Sequence, residues 1–142
     1  GMAGGQVLDL AAIDQHIGLE ELETMHRLKT GALIRVSATA PSLLVGDDNL
    51  TARLARYGEA VGLAFQITDD LLDVTESSQR TGKPAHADAA RNKPAFPSVL
   101  GIEASRERAE TLCDRAAGEL AGFPGDTSVL EWLADYAIHR RH

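Results

Sequence analysis

Three aspartates, Asp69, Asp70 and Asp73, interrupt the apolar run GLAFQITDDLLDV at residues 62–74. At about 100° per residue, Gly62, Asp69, Asp70 and Asp73 all fall within roughly 60° of Gln66, so the polar residues form one narrow stripe. Leu63, Phe65, Ile67, Leu71 and Leu72 occupy the flanks and back of that helix. No lysine or arginine stands at i+4 to pair with the acids, so they repel one another. They also lie toward the helix C-terminus, where the backbone dipole disfavours negative charge. A hard divalent cation resolves this repulsion. Mg²⁺ takes oxygen ligands, keeps several waters and bridges carboxylates to substrate phosphates. The stripe therefore points to a Mg²⁺-diphosphate platform.

Other residues suit a diphosphate. Lys29 and Thr30 sit mid-helix before Gly31, and Lys83 and Lys93 lie in the segment after the acids. Lysines so placed supply point charges to phosphate oxygens. His16, His26, His86, His139 and His142 are scattered, and each reads as structural or surface rather than catalytic. The net charge of -7, with 14 basic and 21 acidic residues, argues against a general nucleic-acid or anionic-membrane surface. Cys113 is the only cysteine, so no internal disulfide and no paired-cysteine metal site can form, and a reducing cytoplasm is the simplest compartment. No apolar run approaches the roughly 20 residues of a membrane span.

The elements that must position these residues read as all-α. Residues 20–40 carry Leu22, Met25, Leu28, Leu33 and Val36 at helical spacing, with Pro41 expected to stop the helix. Asp47, Asp48 and Asn49 cap a helix over 50–74. Residues 76–97 hold three of the five prolines and read as a long loop. Helices follow over 98–122, with Gly101 a weak point, and over 127–140.

The chain resembles the C-terminal half of a trans-isoprenyl diphosphate synthase of the farnesyl/geranylgeranyl type. The matching stretches are GGQVLDL (4–10), HRLKTGALI (26–34), GLAFQITDDLLDV (62–74), GKPAHAD (82–88) and NKPAFPSVLG (92–101). The resemblance implies part of an isoprenoid-synthase-like helical bundle that condenses an allylic prenyl diphosphate with isopentenyl diphosphate. It assigns Asp69, Asp70 and Asp73 to Mg²⁺, Asp69 most directly. Lys29 and Lys83 would grip the allylic diphosphate, while Thr30 and Gln66 stabilise the allylic cation. Phe65 becomes a wall beside the homoallylic substrate. Gln6 and Asp9 fall near the site floor, and Arg140 or Arg141 would help cover isopentenyl diphosphate. The family pattern Lys-x-Thr-x-Pro reads Lys93-Pro94-Ala95-Phe96-Pro97 here, so a hydroxyl is missing at Ala95.

By the same resemblance, residues 1–142 correspond to the C-terminal half of a polyprenyl synthetase domain, starting partway through the parent fold with Gly1-Met2 native. The family's first aspartate-rich motif, isopentenyl-diphosphate motif and chain-length gate all precede GGQ. The chain is thus expected to be a fragment inactive alone, from a parent that is a homodimer. Two rivals stay open. One is a non-catalytic small subunit regulating a full-length synthase, which would have no need of the intact DDLLD. The other is a terpene cyclase on the same fold, against which the FQITDD and GK run argues.

Overall fold

The computed structural model describes residues 1–81 and 93–140, the side chains of 76–81 excepted. Among these residues there are helices and no strands. They are α1 (Met2–Ala11), α2 (Leu19–His26), a π-helical turn (Arg27–Gly31), α3 (Ala32–Val45), α4 (Asp48–Thr81), α5 (Phe96–Leu100), α6 (Ile102–Leu120) and α7 (Ser128–His139). Lys83, His86, Arg141 and His142 lie outside the described residues.

The long helix α4 is the axis of the molecule, with α3 and α6 packed along it and the π turn and α7 crossing it. Asp47 starts it as expected, its Oδ1 accepting the Leu50 N–H at 2.9 Å. The face of α4 that carries Ala60, Leu63, Ala64 and Ile67 is buried against Leu112 and Ala116 of α6 and Leu22 and Met25 of α2. Gly58 and Gly62 set how close the neighbours come. A Cβ on Gly62 would stand 2.9 Å from the Gly31 Cα, and one on Gly58 would stand 2.8 Å from the Arg35 Cα. Gly62, on the polar stripe by spacing, thus lets the π turn press onto α4.

The single helix expected over 20–40 is instead two α-helices joined by the π turn. A π turn holds one more residue than an α turn, so everything after it is rotated by about 100°. Leu22 and Met25 are buried, but Leu33 and Val36 are exposed, and Ile34 and Ala38 pack against the core in their place. The continuous stripe Leu22–Val36 is therefore broken in two.

Pro41 does not stop this helix, which continues to Val45. Proline removes one backbone bond and crowds the preceding turn. Burial of Thr39 and Ser42 on the same stretch, with Thr51 of α4 donating to Ser42 Oγ at 2.9 Å, holds the turn in place. Gly46 ends the helix, at φ 76°.

Of the loop expected over 76–97, residues 76–81 are helical and 82–92 lie outside the described residues. Helix α4 runs through Thr81, and α5 begins at Phe96. The helix expected over 98–122 splits at Gly101, whose φ of 85° takes the chain out of α5 and into α6. Ala95 has no side-chain oxygen to cap α5; only the reciprocal bond is made, with Ser98 Oγ accepting the Ala95 N–H at 3.1 Å.

Candidate active site

The π turn, α5 and α7 pack against α4, and α1 packs against the π turn. The first contact is between α1 and the π turn. Gly5 lies against the backbone of Leu28 and Lys29, where a Cβ would overlap the Lys29 amide nitrogen. That close approach brings Asp9, one turn further along α1, within reach of Lys29. Lys29 Nζ donates to Asp9 Oδ2 at 2.8 Å, and Lys93 Nζ lies 3.3 Å from the same oxygen. Burial pushes the Asp9 carboxyl up, but hydrogen bonds and charge from both lysines outweigh it and hold the group below the usual carboxylate range. One carboxylate therefore gathers two ammonium groups from distant parts of the chain. Gln6, named with Asp9 by the resemblance, is exposed on α1.

Thr30, next in the π turn, donates its hydroxyl proton to Gln66 Oε1 at 2.9 Å. The tighter register of an α-helix would separate Lys29 and Thr30 from their present partners. Within five residues, the π turn directs one side chain to Asp9 and the next to α4.

The aspartate stripe is not unpartnered, as i+4 spacing alone suggested; its partners come from other elements. Asp69, half exposed, accepts from Arg140 Nη2 at 3.1 Å. The Arg140 guanidinium also donates to the Phe65 carbonyl and lies 3.6 Å from the Phe65 ring centroid. This puts the tail arginine on the aromatic residue assigned to a substrate wall. Asp70 is turned inward. Its Oδ2 accepts the Phe96 N–H at 2.9 Å and lies 3.8 Å from His26 Nε2. Burial above all pushes its carboxyl up to about 6, against the Phe96 N–H and the Gln66 side chain, with the charges of Asp69 and Asp73 adding to the rise.

His26, beside the acids, carries none of the features of a surface residue. It is 4% exposed and stacked on Phe96 at 5.5 Å between ring centroids. Neither of its ring nitrogens has a hydrogen-bond partner. No spacing rule connects residues 26, 70 and 96, so sequence reasoning missed this contact. The only sequence signals were an unusual histidine beside the lysine-threonine pair and an aromatic residue after Lys93.

Among the described residues no three His, Cys, Asp or Glu side chains form a ready metal cluster. The donor set still fits a hard cation. Beside the dominant effect of burial, the carboxylates of Asp69 and Asp73 also raise the pKa of Asp70, a repulsion that a divalent ion relieves. The arrangement fits a cation held by one or two carboxylates and completed by water and phosphate oxygens, rather than a closed protein cage. Among the described residues a cavity of about 360 Å³ lies between α1 and α2, lined by Leu8, Ala12, Ile17 and Met25. Another, of about 240 Å³, opens behind α4 beside Thr68 and Arg140.

The polyprenyl synthetase family model matches residues 1–121. The chain belongs to this family. It is 46% identical over 145 residues to farnesyl diphosphate synthase of Escherichia coli, covering 99% of this chain and 48% of that protein. It is 45% identical to dimethylallyltranstransferase of Fischerella ambigua, covering all of this chain and 42% of that one. The fold matches a geranyltransferase of Helicobacter pylori, complexed with magnesium and isoprenyl diphosphate. That match has a TM-score of 0.74 at 31% identity and covers 97% of this chain and 46% of that one. The chain thus spans about half the length of the relatives it matches.

Proposed function

We propose that the whole protein is a trans-isoprenyl diphosphate synthase, a prenyltransferase that joins an allylic prenyl diphosphate to isopentenyl diphosphate. This chain would supply the leaving-group side of the site. The observation that carries the reading is the pairing of Lys29 and Lys93 on one carboxylate, Asp9, next to the Thr30–Gln66 hydrogen bond that ties the π turn to α4. A polar cradle with two ammonium groups and the hydrogen-bonded Thr30 and Gln66 oxygens suits ionisation of a diphosphate ester.

Lys29 and Lys93 bind oxygens of the departing diphosphate, and Asp9 holds them side by side. Lys83, outside the described residues, is assigned to the same diphosphate by resemblance alone. The acidic face of α4, Asp69 foremost, would hold Mg²⁺, which when bound would supply charge neutralisation for the leaving group. The Thr30 hydroxyl and Gln66 carbonyl face the allylic cation with dipoles that stabilise it without trapping it. Isopentenyl diphosphate adds through its alkene, and a proton is lost to a base no stronger than the diphosphate. Phe65 and Arg140 flank that second substrate. The lone cysteine suits a cytoplasmic setting, and among the described residues no helix is long and apolar enough to cross a membrane. The relatives' family and the exposed apolar faces of α1 and α3 support a homodimeric whole protein.

Kinetics on the whole protein test the reading. Asp69→Ala should lower kcat/KM by about 10²–10³-fold, as expected for the loss of one strong electrostatic element. Thr68→Ala, whose hydroxyl only returns to the Ala64 carbonyl on the back of α4, should cost far less. Equal, mild losses in both would mean that the acids are only a solvated face.

A further inference from the structure

Within the stripe, Asp69 and Asp70 are adjacent in sequence but face different surroundings. The Asp69 side chain is 50% exposed, while that of Asp70 is 12% exposed. Asp70 Oδ2 is occupied by a backbone donor 26 residues away, the Phe96 N–H at 2.9 Å. Phe96 is completely buried and stacks on His26, so its amide has no water to turn to. Ala95 offers no side-chain oxygen. A buried amide left without an acceptor is costly, and Asp70 is the acceptor this one has. Three residues before Phe96, Lys93 meets Asp9. The Lys93–Phe96 segment is thus fastened at two successive points, Asp9 on α1 and Asp70 on α4.

We propose that Asp70 is a positioning residue that latches the Lys93–Phe96 segment onto α4 and so places Lys93 beside Lys29, and that it is not a metal ligand. His26 is the packing partner of the latch. Its ring fills the space beside Phe96 and gives Asp70 no second donor. The assignment deepens the function proposed above and rests on it only for the statement about metal. Of the two adjacent acids, Asp69 is the more exposed; its Oδ1 accepts from Arg140 at 3.1 Å and its other oxygen is left to meet a cation.

Hydrogen exchange on the metal-free chain tests the latch without reference to catalysis. Asp70→Ala should speed exchange of the Phe96 amide by at least about tenfold, the loss of one charge-assisted hydrogen bond. Asp70→Asn keeps an oxygen acceptor and should stay within about threefold of the parent chain, and Asp69→Asn should not move this amide. Unchanged Phe96 protection in Asp70→Ala would overturn the proposal. Calorimetric titration with Mg²⁺ and inorganic diphosphate tests the second half. Asp70→Asn should retain the parent affinity within about threefold, while Asp69→Asn should lose about tenfold or more. An equal loss in both variants would make Asp70 a ligand and overturn the assignment. If the parent chain itself fails to bind Mg²⁺ with diphosphate, the proposed function suffers, while the exchange result still decides the latch.

Discussion

His26 and Asp70 sit side by side and are displaced in opposite senses by the same cause. Burial, reinforced by the charge of Lys29, lowers the His26 imidazole to about 4, with Asp9 and Asp69 pulling weakly the other way. Burial raises the Asp70 carboxyl to about 6. A depressed histidine binds fewer protons folded than unfolded, so its contribution to stability is present above about pH 6.5 and is lost as pH falls toward 4. The raised carboxyl does the reverse, favouring the folded state at low pH and losing that advantage as pH rises toward 6. Across the shared window the two nearly cancel. Replacing His26 by Phe keeps the stacking and removes one side of the balance. The stability of the parent chain relative to His26→Phe should rise between pH 4.5 and 7, on the order of 2 kcal/mol. Urea denaturation at the two pH values measures it, and a pH-independent difference would show that the imidazole does not titrate with folding. Little of this was legible in the sequence. The spacing of Asp69, Asp70 and Asp73 places them on one face, but their partners, Arg140 and the Phe96 amide, are 71 and 26 residues distant.

At the scale of elements, the N-cap at Asp47, the break at Gly101 and the last helix follow from local chemistry, and local chemistry is what a sequence displays. Pro41 misled because its cost is paid by tertiary contacts that no local rule contains. The π turn was invisible for the same reason. Close helix crossings fix the elements, and glycines mark where. Gly62→Ala should destabilise the chain by about 1–3 kcal/mol, because its methyl would meet the Gly31 backbone rather than a side chain that can move aside. Gly118→Ala, with open space around the position, should be neutral or slightly stabilising. Chemical denaturation of the pair separates crowding from helix propensity; equal effects would mean that α4 can shift away from the π turn at little cost.

At the scale of the molecule, the core is gathered around α4 while apolar residues stay outside on three other helices. Leu44 and Val45 of α3 are 90% and 78% exposed, Val7 of α1 is 65% exposed, and Trp132 and Tyr136 stack on each other on the outer face of α7. Apolar surface on this scale calls for a covering. The 142-residue chain should self-associate and bind an apolar dye. Analytical ultracentrifugation that finds a clean monomer with no dye binding would show that these residues are tolerated in water. The family and the all-α fold class were legible, because motifs spread over the whole chain carried them. The closure of the site was not, because it depends on which distant groups meet.

The π turn between Arg27 and Gly31 has a consequence for any comparison of positions along this stretch. From Leu19 to Val45 the chain is written in two reading frames with one extra letter between them. A helical wheel drawn through both assigns Leu33 the place that belongs to Ile34, and every position beyond it inherits the error. Lys29 and Thr30 are the letters at the seam. An ancestor or a redesign that deleted one residue there would mend the frame, join the apolar stripe and gain a straighter helix. The same deletion would leave only one of the two side chains able to face the site.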